Sequence, residues 1–109
     1  MDKMTYVIDI DDTICRTNES DYDNSQPIQH RIDYVNKLYD EGHTILFLTA
    51  RGMCRNNNHQ LDAIAELHKF THDQLVSWGV KFHKLFLGKP AGDMYIDDKG
   101  CKDTDFFDE

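Results

Sequence analysis

Apolar and polar positions alternate along this chain in two rhythms, one suited to strands and one to helices. Residues 4–10, Met-Thr-Tyr-Val-Ile-Asp-Ile, are rich in β-branched and aromatic types and predict a strand. Residues 14–26 are mostly polar, with Asn, Ser and Asp throughout, and read as a loop. Pro27 then opens a helical pattern, at a position suited to a first turn. Ile28, Ile32, Val35, Leu38 and Tyr39 share one face of that helix, and Gly42 ends it. Residues 44–48, Thr-Ile-Leu-Phe-Leu, are almost continuously apolar, as in a parallel strand covered on both faces. A polar stretch over 49–58 leads into a second helix over roughly 58–78. Its stripe is approximated by Leu61, Ile64, Ala65, His68, Leu75 and Val76, with Gly79 as its cap. Residues 82–87 predict a third strand, and residues 93–97 a fourth that runs into Asp98. The acidic tail 102–109, with Phe106 and Phe107, is either a short docked helix or frayed.

Strands alternating with helices imply βαβ crossovers and a mostly parallel sheet in an α/β fold. The 109 residues suffice for a single domain, 1–109, and no Pro/Gly/Ser-rich stretch divides them. In such sheets ligands bind beyond the carboxyl ends of the strands. The three clusters of chemically interesting residues, 9–13, 49–51 and 97–98, all fall at such ends.

A formal net charge of -8 repels nucleic acid over most of the surface, so a nucleic-acid partner is not expected. An acidic protein that handles phosphate needs a metal ion or a few well-placed cations. No apolar run reaches transmembrane length and no signal-peptide pattern opens the chain, so a membrane partner is not expected and a cytoplasmic location is. Cys15, Cys54 and Cys101 form no CxxC pair, which argues against a zinc ribbon and for reduced thiols.

Asp9-Ile10-Asp11-Asp12-Thr13 sets two carboxylates two positions apart at a strand end. Buried carboxylates require a compensating cation or backbone donors. A turn that uses Asp for local hydrogen bonds is the plainer alternative. A calcium loop fails, because its glycine position holds Ile14 and its closing glutamate position Ser20. Asp97-Asp98 repeats the pairing after Met94-Tyr95-Ile96. Converging carboxylates at one sheet edge suit Mg²⁺. Thr49 could donate a hydroxyl to a phosphate oxygen, and Lys89, in Gly88-Lys89-Pro90, could offset its charge. Arg51 and Arg55 are read as solvated, His68 and His72 as a partly buried and a solvated helix histidine, and Trp78 as a core anchor.

Taken in order, these pieces resemble the haloacid dehalogenase superfamily of phosphotransferases, over residues 4 to 99. Its DxDx(T/V) motif is matched by residues 9–13, its strand-end Thr by Thr49, its Lys by Lys89 and its acidic pair by Asp97-Asp98. The ending looks especially like small, capless members from phages and bacterial surface-polysaccharide loci. The resemblance implies a three-layer Rossmann-like fold with helices on both faces and no cap domain. It implies that Asp9 attacks phosphorus and that Asp11 protonates the leaving oxygen and then activates water. Thr49 and Lys89 would hold the phosphoryl group. Mg²⁺ would bind Asp9, the carbonyl of Asp11, and Asp97 or Asp98. The expected substrate is a small phosphorylated one, a sugar phosphate or related metabolite, with a nucleotide or a nucleic-acid end as the alternative. A non-catalytic phosphate- or protein-binding module is the other class. Only Pro90 to Ile96 separate Lys89 from Asp97, too short for a helix and a strand, so a tight turn is expected there. An uncapped site is open to a large substrate, or to a partner subunit as its lid in a homo-oligomer.

Overall fold

In the computed structural model, which describes residues 2–109, eight regular elements follow one another. They are β1 (Thr5–Ile8), β2 (Cys15–Arg16), β3 (Gln26–Pro27), α1 (Gln29–Asp40), β4 (Thr44–Thr49), α2 (Gln60–Ser77), β5 (Lys84–Leu87) and α3 (Asp103–Phe106). Three strands form a parallel sheet in the order β1-β4-β5, with Val7 beside Leu46 and Thr49 beside Leu87. β2 and β3 form a separate antiparallel ribbon.

The sheet steps in one direction, from β1 to β4 to β5, so two right-handed crossovers put both helices on the same face. The core agrees with this placement. Ile32, Val35 and Leu38 of α1 and Leu75 of α2 pack with Ile8, Ile45 and Phe47 of the sheet. On the opposite face, alternation sets Val7, Leu46, Leu48 and Phe86 side by side. Val7 is 60% exposed and Phe86 45% exposed. The described residues therefore form two layers, not the three expected. A helix on the second face requires the chain to reverse direction across the sheet, and the strand that would do so is not formed. Residues 93–97 are irregular and exposed, where a fourth strand was expected.

Two helix readings are also corrected. Pro27 does not open α1; it lies in β3, opposite Cys15, and α1 begins two residues later. The stretch 14–26 is thus partly ordered, with a 3-10 turn at Tyr22–Asn24. In α2 the buried residues are Ala63, Leu67, Thr71 and Leu75. The larger Leu61 and Val76 face solvent. Small residues at the contact admit the loop after β4: a Cβ on Gly52 would stand 2.9 Å from Leu67 Cδ1, and its φ of +79° suits glycine.

The tail docks as α3. The buried Arg31 guanidinium donates to Asp103 Oδ2 at 2.8 Å, to both carboxylate oxygens of Glu109 and to the Thr13 carbonyl at 2.9 Å. Phe107 closes the core there, and Trp78 packs against the core as expected. Among the described residues no helix is long and apolar enough to cross a membrane.

Candidate active site

Just past the last paired residue of β1 the chain turns sharply. Thr13 and Ile14 both donate their N–H to the Ile10 carbonyl, and Asp12 takes a positive φ of 59°. Ile10 and Ile14 are fully buried and anchor the turn from below. The turn swings Asp9 and Asp11 toward the same opening. β4 ends at Thr49 beside them, and Lys89 follows β5. Thr49 ties the tips together: its carbonyl accepts the Lys89 N–H at 3.2 Å and its Oγ1 accepts the Arg51 N–H at 3.1 Å.

The tips open onto a cleft of about 590 Å³, whose walls include Asp9, Asp11, Thr17, Tyr22, Thr49 and Arg55. Lys89 Nζ stands 3.8 Å from Asp9 Oδ2. Desolvation pushes the Asp9 carboxyl above its ordinary value, and the Lys89 charge and the Ile10 N–H pull it partly back. Of the lysines flanking Lys89 in the sequence, Lys84 is exposed on β5 and Lys99 pairs with Asp98.

Arg51, read from the sequence as solvated, is 1% exposed. Its Nε and Nη2 donate to the Asp11 carboxylate at 3.0 and 2.9 Å. Its Nη1 donates to Gln74 Oε1 at 2.7 Å, and the guanidinium lies 4.7 Å from the Tyr22 ring centroid. Thr17 Oγ1 also donates to Asp11. Arg51 and Thr17 are thus site residues that sequence reasoning missed. The available signal was Arg51 two positions after a strand-end Thr, opposite an acidic turn. Whether it would be buried depended on α2 supplying Gln74 and Thr71.

The structure brings Asp9, Asp11, Thr49 and Lys89 together, but not Asp97 and Asp98. The Asp97 carboxylate accepts the N–H groups of Lys99 and Gly100, and Asp98 pairs with its neighbour Lys99, 84% of its side chain exposed. Among the described residues, no three His, Cys, Asp or Glu side chains converge as a metal site. The Asp9 carboxylate faces an ammonium and the Asp11 carboxylate a guanidinium. The residues of one chain in this arrangement therefore do not fit the expected Mg²⁺.

No family model matches the chain, and no curated protein does. A solved structure of a structural-genomics target protein from Vibrio cholerae is similar, at 24% identity and a TM-score of 0.88. The match covers 97% of this chain and 89% of that one. At that identity the likeness establishes the shared fold.

Proposed function

We propose that this chain is a phosphomonoester hydrolase with Asp9 as its nucleophile, acting on a sugar phosphate or a related small metabolite. The observation that carries the reading is the meeting of Asp9, Asp11 and Thr49 around one cleft at adjacent strand tips, with Lys89 from the third tip 3.8 Å from Asp9. Lys89 reverses the repulsion that a lone carboxylate would exert on a phosphate dianion. The Thr49 hydroxyl donates to a phosphoryl oxygen. In the first step an Asp9 oxygen bonds to phosphorus as the ester P–O bond breaks, and the leaving oxygen takes a proton from Asp11. In the second, a water gives a proton to Asp11 and bonds to phosphorus. The Asp9–phosphorus bond breaks, releasing inorganic phosphate and restoring Asp9. Asp11 rests as the carboxylate of the Arg51 ion pair; on turning from Arg51 it takes a proton from solvent, gives it to the leaving oxygen in the first step and regains one from water in the second. Most of the rate gain is positioning and charge stabilisation.

The test is a panel of phosphomonoesters, assayed with and without Mg²⁺, comparing the natural chain with Asp9→Asn and Asp11→Asn. We expect turnover by the natural chain and a loss of at least about 10³-fold in Asp9→Asn, with the fold retained by circular dichroism. Full activity in Asp9→Asn overturns the nucleophile. An inert natural chain that still binds inorganic phosphate favours a binding module instead.

A further inference from the structure

The chain carries a strand without a sheet and a sheet edge without a strand. Residues 93–97, Asp-Met-Tyr-Ile-Asp, alternate as a strand does, yet Met94 is 76% and Ile96 88% exposed. Among the described residues, 93–101 hydrogen-bond only among themselves, to Lys102, and through the Tyr95 hydroxyl to Pro90 and Gly92. β1, for its part, pairs with β4 alone. An open edge of this kind is a template for another strand.

Within one chain the two cannot meet in parallel. β5 lies at the opposite edge, with β4 and β1 in between. Only six residues, 88–93, link Leu87 to Met94. A parallel crossover takes a dozen or more. Here it would have to recross about three strand spacings of ~4.8 Å and return the full length of the sheet. An antiparallel return is short enough, but it carries Asp97 and Asp98 away from the strand tips.

We propose that two copies of the chain exchange this segment: residues 93–98 of each add as a parallel strand to the open β1 edge of the other, and the partner's Asp97 and Asp98 complete the site around Asp9. Setting the partner's Asp97 level with Asp9 places the partner's Ile96 beside Ile8 and the partner's Met94 beside Tyr6, on the helix-covered face. The partner's Tyr95 then covers Val7 on the other. A shift by one residue would turn both apolar side chains outward, so the register follows from burial. The exchange is reciprocal, so it closes as a two-fold dimer with two composite sites. The completion of the site around Asp9 rests on the phosphatase reading; the pairing of the segment with the β1 edge does not.

Three measurements test it. Sedimentation should show a dimer for the natural chain and a monomer for Ile96→Asp. In a mixture of ¹³C-labelled and unlabelled chains refolded together, isotope-filtered NOEs should connect Tyr95 of one copy to Val7 of the other. Finally, Asp9→Asn and the double variant Asp97→Asn/Asp98→Asn should each be inactive alone, and an active double variant removes Asp97 and Asp98 from the site. Refolded together, they should recover about a quarter of natural activity, because half the dimers are mixed and each mixed dimer has one intact site. A monomeric natural chain, or NOEs confined within one copy, overturns the exchange whether or not the enzyme turns over. An inert natural chain that shows inter-copy NOEs sinks the phosphatase reading and leaves the exchange standing.

Discussion

Asp9 pays for its position in stability, and that cost has a pH signature. Its carboxyl is held above the ordinary value of 3.8, first by desolvation. Between the ordinary and the raised value the folded chain keeps a proton that the unfolded chain has lost. Stability therefore falls as pH rises through that window. Asp9→Asn removes the effect, so its thermal midpoint should exceed that of the natural chain at about pH 7 and converge on it below about pH 3.5. Differential scanning at the two pH values checks this, and equal midpoints at both refute it. Arg51 acts one step further back: it holds Asp11 at rest and sets the position from which Asp11 turns to the substrate. Arg51→Lys keeps the charge but loses the two-pronged hold on the carboxylate and the contact with Gln74. We expect kcat to fall by about 10–100-fold with KM little changed, the pattern of a misplaced supporting group.

At the scale of elements, α1 is joined to the tail through one buried cation. Arg31 meets Asp103 and Glu109 from α3 and its end, and meets the Thr13 carbonyl from the acidic turn. The Arg31 hydrogen bonds hold the Glu109 carboxyl down to about 2, and the Asp103 carboxyl is lowered for the same reason. A lowered carboxylate stabilises above its ordinary value and loses that contribution as pH falls toward the depressed one. Urea unfolding of the natural chain should therefore weaken between about pH 4.5 and pH 2. Arg31→Met should lower stability at neutral pH, where it unpairs both carboxylates, and flatten that acid slope. An unchanged slope in the variant would show that other carboxylates dominate acid unfolding. The contact also shows why a helix of four residues holds at all: it is fastened by ion pairs and by Phe107, not by its own length.

For the whole molecule, the two-layer arrangement leaves apolar surface that one copy does not cover: Val7 and Phe86 on the bare sheet face, and Met94, Tyr95 and Ile96 on the projecting segment. Patches of this kind mark contact surfaces in native proteins. If the segment is exchanged, folding and association are linked. The thermal midpoint of the natural chain should then rise with protein concentration, by a few degrees per decade on the order expected from mass action. Ile96→Asp should show a midpoint independent of concentration. A concentration-independent midpoint in the natural chain would separate folding from pairing.

The α/β class, the three parallel strands and the strand-end positions of Asp9, Thr49 and Lys89 were legible in the chain, because hydrophobic periodicity is a local property. A run such as Thr-Ile-Leu-Phe-Leu reads the same wherever it packs. The phase of α2, the pairing of Pro27 with Cys15 and the burial of Arg51 were settled only by tertiary contact. Each depends on what stands across from the residue, as Gly52 stands across from Leu67 and Asp11 from Arg51. The segment 93–97 carries a strand's pattern and forms no strand, because pattern specifies which faces a strand would bury but a ladder needs a neighbour within reach. Six residues from the far edge of the sheet do not provide that reach.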